Sequence, residues 1–161
     1  MDKGRVPKIG QKVLDFVLPD DMGRSVRLSE EASERIVVLM FYPSDFGMIC
    51  SIQMGELRDS YDLIEETGVR LLPISTNSVR SHAAWKESMR LPFRLLADED
   101  GTLTEEYGMS CDDDGWFKNR SCRGIFMVDR DLTVLYSWVP ESPHTGPDVP
   151  ALIEVMRSFS T

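Results

Sequence analysis

The run Ile36–Tyr42, IVVLMFY, is uninterrupted by polar residues, β-branched at its start and followed by a turn-rich segment. With no polar face, it predicts a strand buried on both sides, as at the centre of a parallel sheet. Before it, Val13, Phe16 and Leu18 make a short amphipathic opening into a turn at Asp20–Gly23. Val26–Leu28 is a second short stretch, and Ser29 ahead of Glu30 and Glu31 predicts a capped short helix. After Pro43–Gly47, Leu57, Tyr61 and Ile64 recur at helical spacing, with Gly68 as the stop. Val69–Ser75 predicts the next buried strand. Asn77 or Ser78 caps a helix carrying His82, Trp85 and Met89 on one face. Phe93–Ala97 predicts another strand, and Thr102–Tyr107 a short helix closed by Gly108. Ile125–Val128 and Thr133–Trp138 flank Asp129-Arg130-Asp131 as a hairpin. Asp148 caps a last helix with Pro150 in its first turn, and Leu152, Val155, Met156 and Phe159 face inward.

Strand–helix alternation followed by a hairpin and a terminal helix predicts an α/β domain with a mixed central sheet flanked by helices. The order suits a thioredoxin-like fold with an N-terminal extension. The 161 residues, 42% of them hydrophobic, fit one domain spanning 1–161. No stretch approaches the roughly 18–20 apolar residues of a membrane helix. The opening MDKGRVPKIG lacks the apolar run of a secretory signal, so the cytoplasm is the expected compartment. A net charge of −9 sets the surface against nucleic-acid phosphates. His82 and His144 stand at no metal-ligand spacing to a cysteine, so neither a metal nor a cofactor is expected. Three cysteines are odd in number and too few for a disulfide scaffold, which leaves the reactivity of individual thiols as the question.

Cys50 holds the most favourable position for such reactivity. It follows the buried strand and a turn, at the first turn of the next helix, where unpaired backbone N–H groups and the helix dipole favour thiolate over thiol. Asp45 and Phe46 lie ahead of it on a loop at a strand's carboxyl end, where open α/β sheets place ligands. The bland alternative, a buried cysteine packed like alanine, remains open on position alone.

Two motifs narrow the reading. Pro43-Ser44-Asp45-Phe46-Gly47-Met48-Ile49-Cys50 resembles the Pro-x-x-x-Thr/Ser-x-x-Cys signature of peroxiredoxins of the alkyl hydroperoxide reductase / thiol-specific antioxidant family. Arg123-Gly124-Ile125-Phe126-Met127-Val128-Asp129 resembles that family's Arg-x-x-Phe-x-x-Asp. The segment ISTNSVRSHAAWKESMRLPFRLLADEDGTLTEEYG between them matches in order and residue type. The likeness runs from about Gly10 to Phe159 and is nearest the bacterioferritin-comigratory type. It implies a thiol peroxidase that reduces hydrogen peroxide or organic hydroperoxides through a Cys50 thiolate and a sulfenic acid. Arg123 would lower the thiol's pKa and orient the peroxide, Pro43 would shield the sulfur, and the Gly47–Cys50 backbone N–H groups would bind peroxide oxygens. The resemblance also implies an external thiol reductant of thioredoxin or glutaredoxin type, with the chain a monomer or homodimer.

The pattern departs from the family at two places. Gly47 replaces the hydroxyl residue that normally bonds the sulfur and the peroxide, a loss on the order of 10²–10³ in rate by analogy with oxyanion-hole variants. Gln53 stands where other members carry Glu, so the arginine has an uncharged partner. These features point to a slow peroxidase or, alternatively, a catalytically drifted binding or regulatory module. Disulfide exchange in the manner of thioredoxin is weak because Cys-x-x-Cys is absent. For the resolving cysteine, Gly55 stands where bacterioferritin-comigratory members often carry one. Cys122 adjoins Arg123 and is expected to face away from Cys50. Cys111, in the Ser110–Arg120 loop, is the better candidate, slowed by Asp112, Asp113 and Asp114. Reduction by an external thiol is favoured over either. Trp85, Trp116 and Trp138 read as core or rim aromatics, His82 as a packed helix residue, and Met48 as a residue able to shape an apolar mouth.

Overall fold

The computed structural model describes residues 1–111 and 115–160; Asp112–Asp114, expected to slow Cys111, lie outside the described residues. The chain opens with β1 (Val17–Pro19), β2 (Ser25–Arg27) and α1 (Leu28–Glu34). It continues through β3 (Val37–Phe41), α2 (Met48–Asp59), α3 (Tyr61–Glu66), β4 (Arg70–Ser75) and α4 (Val79–Met89). β5 (Leu96–Ala97), α5 (Thr102–Glu106), β6 (Gly124–Val128), β7 (Val134–Trp138) and α6 (Val149–Phe159) complete it. β1 and β2 form an antiparallel pair, while the main sheet has the order β5-β4-β3-β6-β7. β3 pairs in parallel with β4 and antiparallel with β6, so the sheet is mixed and IVVLMFY lies at its centre.

Every residue of β3 and β6 is buried, and their side chains alternate between two cores. Val38, Met40 and Tyr42 of the β3 segment, with Ile125 and Met127 of β6, pack beneath α2, α4 and α6. Val37, Leu39 and Phe41, with Phe126 and Val128, pack on the opposite side, beneath α1, α5 and the β1–β2 hairpin. This alternation settles the side-chain directions just ahead of β6. Arg123 shares the face of Ile125 and Met127, the side that also holds buried Cys50, whereas Cys122 packs against the opposite core.

Three elements differ from the pattern-based expectation, each for a local reason. Ser29 lies inside α1 rather than capping it; its backbone N–H and hydroxyl both donate to Asp15. The helix expected to run on to Gly68 breaks at Ser60, whose φ of −105° and ψ of 10° separate α2 from α3. Of Phe93–Ala97 only Leu96 and Ala97 pair in the sheet, because the Leu95 N–H donates to Asp21 in the β1–β2 turn instead. The caps at Ser78 and Asp148 form as the sequence predicts, accepting from the Ser81 and Ala151 N–H groups. Gly108 has a positive φ of 69°, and a Cβ there would meet the Asp2 carbonyl at 2.4 Å. Only glycine lets the N-terminal segment cross so closely.

Cys111 and Cys122 are joined in a disulfide with Cα atoms 5.2 Å apart, which corrects the expectation of Cys111, or failing it Cys122, as a resolving partner for Cys50. An isolated bridge pairs Ser110 with Ser121, and the Cys111 N–H donates to the Arg120 carbonyl, so the ends of this loop are held together. Because β6 directs Cys122 away from Cys50, its sulfur meets Cys111 rather than the site. A crosslink closing a loop of this length stabilises the fold by about 2–3 kcal/mol, chiefly by restricting the unfolded chain. Denaturant unfolding of Cys111→Ser/Cys122→Ser against the oxidised protein should show that loss, and adding reductant to the unaltered chain should reproduce it.

Candidate active site

α2 begins with Gly47 as its N-cap and Cys50 as its third residue. No side chain caps this end and its first turn carries no acidic residue, so the amides of Met48–Cys50 face the loop without a side-chain partner. They leave a positive partial charge beside the sulfur. Cys50 is fully buried and is the free cysteine of the three.

The antiparallel register brings the second half of the site to it. Phe41 pairs with Gly124, so the residues just outside this pair, Tyr42 and Arg123, come level where the Cys50 loop leaves the sheet. Arg123 is 3% exposed. Its Nη1 donates to Cys50 Sγ at 3.2 Å and to Gln53 Oε1 at 3.4 Å, and its Nε donates to the Pro143 carbonyl at 3.1 Å. Gln53, one helical turn after Cys50, is itself buried, and its Nε2 contacts Met40 Sδ at 2.8 Å. The sulfur and guanidinium, 73 residues apart in sequence, are thus in direct contact.

Gly47 adopts φ −66° and ψ 145°, backbone that any residue can occupy. Space distinguishes it instead. A Cβ there would stand 3.5 Å from Cys50 Sγ, 3.3 Å from the Ser44 carbonyl and 3.5 Å from the Trp116 ring. The position therefore faces the sulfur, as a hydroxyl residue there would need to. Pro43 is buried at the base of the same loop.

Sequence reasoning missed the polar network under this loop. Tyr42 Oη donates to Asp45 Oδ1 at 2.6 Å; Ser81 Oγ and His82 Nδ1 each lie 2.8 Å from Asp45 Oδ2. The Asp45 N–H donates to Asn77 Oδ1, and His82 Nε2 lies 2.9 Å from the Leu96 carbonyl. A carbonyl only accepts, so Nε2 is the donor in that contact. Burial, reinforced by the Asp45 charge, holds the Tyr42 phenol well above its usual pKa, so it remains a donor. The next residue, Phe46, sits at φ 64°, a left-handed conformation unfavourable for a side chain, with its ring 6.2 Å from that of Trp85. Helix periodicity placed His82 on the Trp85 face, but a lone aspartate in a loop gives no sequence sign of its partners.

The family assignment rests on this geometry together with four resemblances. The profile of the AhpC/TSA family matches residues 9–137. A bcp-type peroxiredoxin of Coxiella burnetii is 33% identical over 133 residues, covering 81% of this chain and 87% of that one. The chain belongs to the AhpC/TSA family. Peroxiredoxin Bcp of Bacillus subtilis is 30% identical over 139 residues, covering 81% of this chain and 84% of its own. The crystal structure of peroxidoxin BcpB from Mycobacterium tuberculosis superimposes with a TM-score of 0.84 at 30% identity, covering 96% of this chain and 99% of that one. The chain is therefore a peroxiredoxin with the thioredoxin-like fold expected from its pattern, and peroxiredoxins are thiol peroxidases.

Replacing Asp45 with Ala strips two buried groups, on Tyr42 and His82, and the half-buried Ser81 hydroxyl of a shared partner. The expected loss of stability is about 2–4 kcal/mol, read by urea unfolding. A loss below about 0.5 kcal/mol, ordinary for a surface change, would show that this carboxylate does not hold the loop.

Proposed function

We propose that Cys50 is the peroxidatic nucleophile of a thiol peroxidase and that Arg123 is its electrostatic partner. One observation carries this reading: the Arg123 Nη1–Cys50 Sγ contact at 3.2 Å, buried and next to a helix N-terminus. A guanidinium and uncapped amides aimed at one sulfur favour its anion, the form that attacks an O–O bond. The thiolate bonds to the terminal oxygen of a hydroperoxide, the O–O bond breaks, and the departing oxygen leaves as alkoxide or hydroxide and takes up a proton. Sulfur is oxidised to sulfenic acid. Negative charge moves from sulfur to the leaving oxygen during this step, so donors fixed near both atoms stabilise the transition state more than the ground state. The amides of Met48–Cys50 and the Arg123 guanidinium are the donors at hand, and Pro43 limits water at the sulfur.

Gln53 acts as a positioning residue by accepting from Arg123 Nη1, without the charge that Glu would bring. The hydroxyl missing at Gly47 leaves the peroxide with one donor fewer, which points to a slower enzyme rather than an inert one. With Cys111 and Cys122 joined to each other, sulfenic Cys50 is reduced from outside. An external thiol attacks its sulfur, water leaves, and a second thiol releases Cys50 with a new disulfide formed between the reductant's two sulfurs. A thioredoxin- or glutaredoxin-type protein fits that role. No observation on the described residues favours a turnover-free module.

Peroxide consumption with a dithiol reductant tests the assignment. Cys50→Ser should abolish it, and sulfenic-acid trapping after sub-stoichiometric peroxide should label Cys50 alone. Arg123→Gln, which keeps hydrogen bonding and removes charge, should lower kcat/KM on the order of 10²–10³-fold. Full turnover by Cys50→Ser would refute the assignment.

A further inference from the structure

The loop closed by the Cys111–Cys122 disulfide does more than brace the fold, because it carries two aromatic residues to the start of α2, beside Gly47–Ile49. Trp116 and Phe117 line a cleft of about 240 Å³ together with Gly47, Met48, Ile49 and His144, and among the described residues Arg123 is the cleft's one permanently charged residue. Arg123 also touches the buried Cys50 Sγ, so one side chain separates the cleft from the sulfur. Hydrogen peroxide has two oxygen atoms and, at about 30 Å³ for a water-sized molecule, occupies a small part of this space. The remainder is walled by hydrocarbon. Met48 is 81% exposed and Trp116 49%, so both side chains are open to contact from a molecule entering the cleft.

Trp116 is also fixed in place. Its ring stands edge-on to Phe117 at 4.9 Å, and Phe117 in turn packs edge-on to His144 at 5.3 Å. The Arg120 guanidinium lies 4.1 Å from the Trp116 ring centre on one side. Elsewhere on the ring, Cη2 approaches to 3.5 Å from where a Cβ of residue 47 would be. Threonine there would extend a methyl group and a hydroxyl beyond that Cβ, toward either the indole or the sulfur. A Cβ at position 47 would reach the indole edge at ordinary contact distance, so a γ atom turned toward the ring would press on it, whereas glycine leaves the ring clear.

We infer that Trp116, seated against Gly47, is the specificity-determining residue of a subsite for the hydrocarbon substituent of an organic hydroperoxide. This inference rests on the thiol-peroxidase reading. The substituent lies on the Trp116–Met48 wall while its terminal oxygen meets Cys50 and its inner oxygen lies toward Arg123. The apolar contact offsets part of the loss of the hydroxyl at position 47, and it does so only for substrates that carry such a group.

The test is the ratio of kcat/KM for cumene hydroperoxide to that for hydrogen peroxide, measured with one thiol reductant. Trp116→Ala should lower this ratio at least about tenfold, since apolar-pocket contacts discriminate by 10-fold and more. Met48→Gln, at a position too exposed to threaten folding, should lower it about threefold, and Trp116→Phe should hold it within about threefold of the original. An unchanged ratio in both Trp116→Ala and Met48→Gln overturns the subsite while leaving the peroxidase reading intact. An unchanged ratio accompanied by a shift in sedimentation would assign the face to a second copy of the chain and likewise overturn it. Absence of turnover with either peroxide in the unaltered, reduced protein would defeat the peroxidase reading and the subsite with it.

Discussion

A buried guanidinium needs several acceptors and, in a medium of low polarisability, a compensating charge. Arg123 finds its acceptors in a carbonyl at Pro143, an amide oxygen at Gln53 and the sulfur of Cys50. Of these three only the sulfur can become an anion. The arginine and the cysteine are therefore coupled: an anionic sulfur offsets the cost of the buried cation, and the cation favours the anion. Where other family members have Glu at the position of Gln53, that charge is shared with a carboxylate. Here, among the described residues, the sulfur is the one ionisable acceptor the guanidinium contacts, so one departure from the family motif concentrates its field on the atom proposed to react.

The sheet exists in the form needed to make that contact. β3 delivers the chain to the Cys50 loop, and β6 runs antiparallel beside it, so the end of one strand lies next to the start of the other. Alternation along β6 then assigns Arg123 to the side of Cys50 and Cys122 to the opposite side. A one-residue slip would exchange them, placing a thiol at the site and a guanidinium in the far core. The fully apolar composition of both strands resists such a slip, because each face is matched to its own packed layer. The loop between is held from beneath by Asp45, which fixes the left-handed turn at Phe46 and hence the direction in which α2 begins.

The parts of this arrangement legible in the sequence are those encoded by periodicity and local chemistry. IVVLMFY identified the central strand, the Ser78 and Asp148 caps identified helix starts, and the spacing around Cys50 and Arg123 identified the two residues that meet. Strand alternation also indicated that Cys122 faces away from Cys50. What stayed hidden were pairings between distant short polar residues. Nothing near Asp15 marks it as the partner of Ser29, nothing near Asp21 marks it as the partner of Leu95, and Asp45 gives no local sign of His82. The Cys111–Cys122 bridge was hidden for the same reason. Its two thiols come together because a loop folds back between α5 and β6, which composition and cysteine count do not report.

Gly47 shows why a motif departure is better interpreted with its surroundings than as a deletion. In the sequence it is a missing hydroxyl, and its backbone angles offer no reason for glycine. In three dimensions the vacated volume borders the Trp116 ring, which is held between Arg120 and Phe117 on a loop whose ends are crosslinked. A hydroxyl donor acts on every hydroperoxide equally, because all share the O–O group it bonds. An indole wall acts only on what extends beyond that group. Exchanging one for the other trades general transition-state stabilisation for discrimination among substituents: position 47 gives up its hydroxyl donor, and the indole edge beside it supplies an apolar wall.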